Sequence, residues 1–418
     1  MSITCKCKYE TTADVTVIGG GTAGVFAAIS AARTGAKTVL IEKNSILGGT
    51  MTVANVNFPG LFFAWGKQII DGPCWEAIQR TADLGGAVIP EFTYKPEKHW
   101  HEQIKLNRFI FTTVLFQMCE ESGVEIRCNT MLSDAFEHED YVQLVLTEKT
   151  GLFSIKTKVA IDATGDANLI HLLGLNLLKS EILQPATLQN HISGYNDNYD
   201  INEIKNKLTN ADLPEHIGFI QLISFLNTHS ISAHCPCYDA DTSEGKTQLE
   251  KNARTDILKI YKFFRTINGL ENLEIDFDAQ ETGIRETNRI IGETTVTAED
   301  YIKGKYYEDS VCYAFYPIDL HVMSGIEKTY HQDGIVSKVP YSALIPKGTK
   351  RILCAGRCIS SDTNANSALR VEATCMAMGQ AVGCAGALTA KNETDVRNIR
   401  YNDLCNALKN IGAIIPEE

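Results

Sequence analysis

The chain has 418 residues, 44% hydrophobic and 22% charged, with a formal net charge of −12. This is a soluble globular composition, long enough for two domains or one large elaborated one, and its acidic balance without a basic stripe excludes a nucleic-acid partner. Thirteen cysteines, an odd number without framework spacing, and a first stretch with no apolar core fit a reduced, cytoplasmic thiol population.

The first element is the run Asp14-Val15-Thr16-Val17-Ile18, which enters Gly19-x-Gly21-x-x-Gly24 and leaves into Val25-Phe26-Ala27-Ala28-Ile29. This order predicts a strand, a tight phosphate-binding turn and the first turn of a helix. Gly19 permits the turn, Gly21 lets backbone amides approach a pyrophosphate, and Gly24 lets helix and strand pack closely. The helix N-terminus supplies orphan N–H groups and positive dipole. A second strand, Lys37-Thr38-Val39-Leu40-Ile41, ends in Glu42, placed to accept from a ribose diol. Gly48-Gly49 follows six residues on. Nicotinamide-binding domains do not require such a doublet, which lets backbone approach the second half of a longer dinucleotide.

An aromatic, glycine-punctuated segment covers residues 57–66. Helical patterning resumes over 108–121, and Val124-Glu125-Ile126-Arg127-Cys128 reads as a strand. Alternating residues at 142–146 and 152–155 suggest a hairpin. Lys158-Val159-Ala160-Ile161-Asp162 is a buried strand ending at a Gly165 turn. Residues 184–345 are richer in Asn, Asp, Thr, Tyr and His, with a polar helix at 201–210, and read as an insertion. The α/β pattern returns at Ile352-Leu353-Cys354-Ala355-Gly356-Arg357. A small-residue helix follows at about 371–388. Its apolar stretch, interrupted by Gln380, reads as a buried helix rather than a membrane span.

With these motifs in place, the chain resembles the FAD-dependent oxidoreductases of the two-dinucleotide-binding-domain flavoprotein class, relatives of the fumarate reductase and succinate dehydrogenase flavoproteins. The resemblance rests on the glycine turn, Glu42, Gly48-Gly49, Asp162-Ala163-Thr164-Gly165-Asp166 and Ala355-Gly356-Arg357. Three further blocks carry it: residues 285–293, 317–321 and 370–381. It implies an α/β fold in which a Rossmann-like FAD-binding domain (13–183 and 346–395) carries an inserted α+β substrate domain (184–345) and a helical tail (396–418). The cofactor is expected to be FAD. By this resemblance Gly19, Gly21, Thr22 and Ala23 hold the pyrophosphate and Glu42 the ribose. Lys43, Gly48, Gly49 and Thr50 border the cofactor, and Met131 lies near adenine. Ala163 and Gly165 close over FAD, while Gly356 and Arg357 approach its ribityl chain. Arg370 and Val371 lead a helix whose N-terminus faces the flavin pyrimidine edge, where reduced flavin gathers negative charge. Gly49 is followed by Thr50-Met51-Thr52, so the paired cysteines of flavin disulfide reductases are missing there. No second strand–GxGxxG–helix unit follows, so a separate electron donor or acceptor, NAD(P)H or a redox protein, is expected.

Flavin chemistry on carbon needs a proton donor or acceptor and a clamp for negative charge. Arg285 and Arg289 would share a face if helical and together hold a carboxylate, or pair with Glu281, Glu286 or Glu293 for structure. Asp319 and His321 lie on one side of an extended segment, and a carboxylate raises the basicity of an adjacent histidine. Tyr341 is a weaker candidate, with a core tyrosine as the default. His234-Cys235-Pro236-Cys237 has no partner pair at zinc-like spacing, so it reads as a loop and no metal is expected. Phe58, Phe62, Phe63 and Trp65 either roof the flavin ring or fill core.

The expected activity is hydride transfer between flavin N5 and a small-molecule substrate, with Asp319 and His321 handling the proton and Arg285 and Arg289 the negative charge. The alternatives are an oxidase or hydroxylase using O2, and a non-redox dinucleotide binder of the thiazole synthase type. A homo-oligomer is compatible with the sequence.

Overall fold

The computed structural model describes residues 6–94, 99–196 and 198–417. Its centre is strand β1 (Glu10–Ile18), followed by helix α1 (Thr22–Arg33) and strand β2 (Thr38–Glu42). β1 and β2 pair in parallel, from Val15 opposite Thr38 to Ile18 opposite Ile41. Their last residues are buried on both faces, which is why they read as an apolar run without alternation. Helix α2 (Arg108–Glu121) follows, capped by the Asn107 side chain on the amides of Phe109 and Ile110. Strand β3 (Glu125–Cys128) adds beside β2. Strands β4 (Met131–Glu137), β5 (Val142–Glu148) and β6 (Gly151–Asp162) complete a sheet of order β3-β2-β1-β6-β5-β4.

The hairpin and the buried strand expected separately at 152–155 and 158–162 are one strand of 12 residues, β6. Lys156 and Lys158, two apart, turn outward together while Thr157 and Val159 are buried, so the charges interrupt the apolar run without ending the strand. One edge of β6 is divided. Residues 151–157 pair antiparallel with β5, and residues 160–162 pair in parallel with strand β7 (Ile352–Cys354), which returns after the insertion.

The insertion has its own core, which includes Leu188, Ile204, Leu222 and Leu249, Ile257 and Phe264 of helix α3 (Ser243–Phe264). That separate core spans 186–279, the first part of the expected 184–345 segment. Val296, Tyr301, Val311, Val339 and Leu344 pack instead into the main core.

Two helices follow β7: α4 (Thr363–Leu369) and α5 (Glu372–Asn392). α5 is the expected small-residue helix, almost entirely buried. Its glycines have a packing reason. A Cβ on Gly383 would lie 2.2 Å from the Ala27 carbonyl oxygen of α1, a separation that only glycine allows. The last helix, Tyr401–Asn410, seats Leu404 and Leu408 in the main core. Among the described residues, no helix is long and apolar enough to cross a membrane.

Candidate active site

A cavity of about 510 Å³ runs from the β1–α1 turn, past the end of β6, to the Ile318–Val322 strand and the N-terminus of α5. At its first end Gly19 has φ +102°, and a Cβ there would lie 2.4 Å from the Ala163 carbonyl oxygen; at Gly24 it would lie 1.8 Å from the Gly19 carbonyl oxygen. Around Gly21 the nearest atom to such a carbon is 3.9 Å away. Two glycines therefore bring strand, turn and helix together, and the middle one leaves the cavity floor open. No side chain caps α1 and no acidic residue occupies its first turn. Thr22 and Ala23 line the cavity there, so the helix N-terminus is available to an anion. Glu42 accepts from the Gly20 amide at 2.6 Å and the Asn44 amide at 2.7 Å, tying both loops to β2. Burial raises its carboxyl pKa, and these amides hold it back.

Further along, the buried Asp162 carboxylate accepts from Thr164, Leu169 and Ile170 and shapes the turn after β6. Arg357 pairs with Asp166 at 2.7 Å, and Thr287 donates to the same carboxylate oxygen at 2.6 Å.

The far end is built on an antiparallel hairpin, Ile318–Val322 with Gly325–Thr329. Positions 319 and 321 fall on one face of that strand. His321 Nε2 meets Asp319 Oδ2 at 2.9 Å. Burial opposes the Asp319 charge, yet the bond from His321 and the cations of Lys328 and Arg370 hold its carboxyl below the usual range. Burial, with Arg285 and Arg370 nearby, pushes His321 down to about 4. Near neutral pH the couple is thus a carboxylate accepting from a neutral imidazole. Arg285 donates to the Pro185 carbonyl at 2.6 Å and the Thr187 hydroxyl at 3.0 Å. Arg370 donates from Nη2 to the Asp319 carbonyl at 3.2 Å, while its Nη1 is buried without a partner. Burial pushes Arg285 to about 9 and Arg370 to about 10, so both stay charged near neutral pH. Glu372, the first residue of α5, also lines the cavity, and burial lifts its carboxyl to about 7. Two firm cations against one firm carboxylate make this end attractive to an anion.

A protein-family model described as FAD dependent oxidoreductase matches residues 14–408. The chain belongs to the FAD dependent oxidoreductase family. The human mitochondrial dihydrolipoyl dehydrogenase is 68% identical over 38 residues, 9% of this chain and 8% of that protein. The fumarate reductase (cytochrome) of Shewanella frigidimarina is 45% identical over 67 residues, 15% of this chain and 11% of that one. The chain thus spans about a tenth of these relatives. The structure of a geranylgeranyl bacteriochlorophyll reductase-like protein from Thermoplasma acidophilum aligns over 96% of this chain and 83% of that one, at 14% identity and a TM-score of 0.46.

In this member of the family the open floor at Gly21, the uncapped α1 N-terminus and the acid at the end of β2 suit a dinucleotide. Of the residues expected at FAD, Gly19, Gly21, Thr22, Ala23, Glu42, Lys43, Gly49, Thr50, Met131, Ala163, Gly165, Gly356, Arg357, Arg370 and Val371 line the cavity. Gly48 stands behind the wall. Its amide donates to the Gly20 carbonyl at 2.8 Å, and a Cβ would meet Thr52 at 2.6 Å.

The helical face expected to join Arg285 and Arg289 does not form. Asn288–Ile290 is a strand paired with Leu177–Lys179, and the two arginines part company. Arg285 lines the cavity. Arg289 is buried against Glu286, one of its structural alternatives, with Ser180 beside it. Glu286 in turn accepts from Gln184, whose carbonyl accepts from the His321 amide at 3.1 Å, so Arg289 braces the hairpin from behind. Tyr341 is core, its hydroxyl donating to the Val396 carbonyl at 2.9 Å. Of the aromatic segment only Phe58 lines the cavity; Phe62 is core, Phe63 stacks on Phe92, and Trp65 packs on Phe315. Cys235 and Cys237 are buried thiols, pushed up to about 12 and about 11.

Glu372 and His234 are the residues of this end that sequence reasoning missed. Glu372 lies inside the 370–381 block, but nothing local in the sequence marks its carboxylate as cavity-facing. His234, expected in a loop, lies in a two-residue strand paired with Ala186–Thr187, and its Nε2 stands 3.2 Å from His321 Nδ1.

Proposed function

We propose that this enzyme transfers a hydride between flavin N5 and a small anionic organic substrate, with Asp319 and His321 handling the proton and Arg285 the negative charge. Bound FAD supplies the two-electron chemistry. The observation that carries the proposal is that one cavity joins the dinucleotide cradle to the Asp319–His321 couple and to Arg285 and Arg370. The α1 N-terminus, Glu42 and Lys43 would hold the nucleotide half, and Gly165, Gly356 and Arg357 the stretch beyond it.

At the far end each side chain has a defined task. Arg285 is fixed by two acceptors on Nη1, which aligns its guanidinium for a carboxylate or developing oxyanion. Asp319 orients the His321 ring through Nε2 and stabilises the imidazolium when the ring gains a proton. Tyr316, held by Gln103 at 3.0 Å, closes the adjoining wall. Electrons are exchanged over the same cavity face with NAD(P)H, or with a redox protein.

The test is an anaerobic absorption titration of the FAD-loaded protein, first with NADH and then with small carboxylates carrying an oxidisable or reducible carbon. Bleaching of the flavin band by one of them supports the reading. If none bleaches it, and dithionite-reduced enzyme reoxidises in air through a stable oxygen adduct, the oxygen-using alternative takes its place.

A further inference from the structure

Behind the Asp319–His321 couple the hydrogen bonds continue. His321 Nδ1 lies 3.2 Å from His234 Nε2, and His234 Nδ1 lies 3.1 Å from the Val322 carbonyl oxygen. Four groups therefore stand in line: Asp319 carboxylate, His321, His234 and a backbone carbonyl. The carboxylate and the carbonyl at the ends only accept. Two neutral imidazoles bring one N–H each, and both are used at the ends, on His321 Nε2 and His234 Nδ1. The contact between the rings is then a lone pair facing a lone pair. One added proton turns that contact into a hydrogen bond and completes the line.

We propose that His234 is a positioning residue for His321, and that the two rings bind a single shared proton, taken up when an anion arrives beside Arg285. The second half rests on the anion reading of the cavity given above.

The charges around the pair set the sign. Asp319 faces His321 Nε2 and favours the proton, while Lys328 stands 3.6 Å from the other Asp319 oxygen. Arg285 acts on both rings, Arg370 on His321 and His216 on His234, each against it. Burial, with Arg285 beside both rings and Arg370 beside His321, pushes both imidazoles to about 4, so the rings are neutral near pH 7. An anion set against Arg285 cancels the cation common to both rings and raises the affinity of the pair for the proton. His234 does not line the cavity, so its whole effect passes through His321.

The experiment uses the FAD-loaded protein and two readouts. First, the histidines are labelled with nitrogen-15 and titrated by NMR in wild type, His234→Gln and His321→Gln. Glutamine at 234 can still accept from His321 Nδ1 but cannot carry the proton. Both rings are expected to titrate together with uptake of one proton, and His321 to change its titration in His234→Gln. Independent titration of the two rings, or a His321 titration untouched by His234→Gln, overturns the shared proton. Second, oxalate is titrated calorimetrically in buffers of different ionisation enthalpy. Wild type is expected to bind with proton uptake, His234→Gln to bind without it, and Arg285→Gln to lose binding. Equal uptake by wild type and His234→Gln overturns the coupling. If wild type does not bind oxalate, the anion reading and the coupling fail together, and the shared proton is judged by the NMR arm alone. His234→Asn, which keeps a donor toward Val322, serves where His234→Gln does not fold.

Discussion

Gly379 of α5 lies against Ala23 of α1 so closely that a Cβ on it would stand 2.2 Å from the Ala23 carbonyl oxygen. Ala23 lines the cavity at the first turn of α1, so a helix formed late in the chain sets the height of the anion-binding turn formed at its beginning. Gly379→Ala should therefore lower stability by about 1–3 kcal/mol through overpacking and weaken FAD retention as well. Denaturant unfolding and flavin release by ultrafiltration measure the two effects. A variant with unchanged stability would show that the helices separate without strain.

Glu42 holds two backbone amides, so removing its carboxylate unties the turn as well as the expected ribose contact. Glu42→Ala leaves buried donors unmet, at about 1–3 kcal/mol each. Retention of FAD should fall about tenfold or more, read as flavin per protein after gel filtration. Full flavin content in Glu42→Ala would remove the acid from the cofactor site.

His321→Ala should cut turnover by about 100-fold or more while leaving the flavin spectrum in place. Steady-state rates on a substrate found in the anaerobic titration decide it. Turnover like that of wild type would take His321 out of the mechanism.

Arg285 and Arg289 should separate cleanly. Arg289→Ala leaves Glu286 buried and unpaired, a loss of about 3–5 kcal/mol, so its signature is a lower melting temperature. Arg285→Ala should raise KM or lower kcat with little change in melting temperature. The reverse pattern would exchange their roles.

Glu372 supplies a pH test. Burial lifts its carboxyl from near 4.5 to about 7, so between those values the folded chain binds the proton and the unfolded chain does not. The stability contributed by the neutral acid is complete below about pH 4.5 and is lost as pH rises through about pH 7. Glu372→Gln should therefore gain on wild type between about pH 5 and about pH 8. Parallel stability curves over that range would mean that the acid is ionised throughout.

What the sequence revealed was local. β1, the glycine turn, α1, β2 and Glu42 follow one another within a few dozen residues, and each carries a periodicity or a steric demand that single residues announce. Asp319 and His321 were legible for the same reason, since a strand puts alternate residues on one face. The shared face of Arg285 and Arg289 was a wrong choice of period. Residues 288–290 are drawn into a ladder with 177–179, and no spacing within 285–293 contains that partner. His234 was hidden more deeply, for it meets a ring 87 positions away, and its own tetrapeptide points toward cysteine chemistry instead. The glycines of α5 were visible from the start, yet their purpose is written in α1.

β6 gives up the end of its edge to β7, and that division has a temporal meaning. The cradle made by the first fifty residues stays open on one side until residues 352–354 take their place, and Arg357, Arg370 and Glu372 follow immediately. On a ribosome the insertion emerges before that seam can close, with a core of its own to form while it waits. The cavity therefore joins residues 19–50 to Arg357, Arg370 and Glu372, which enter the fold only beyond the β7 seam.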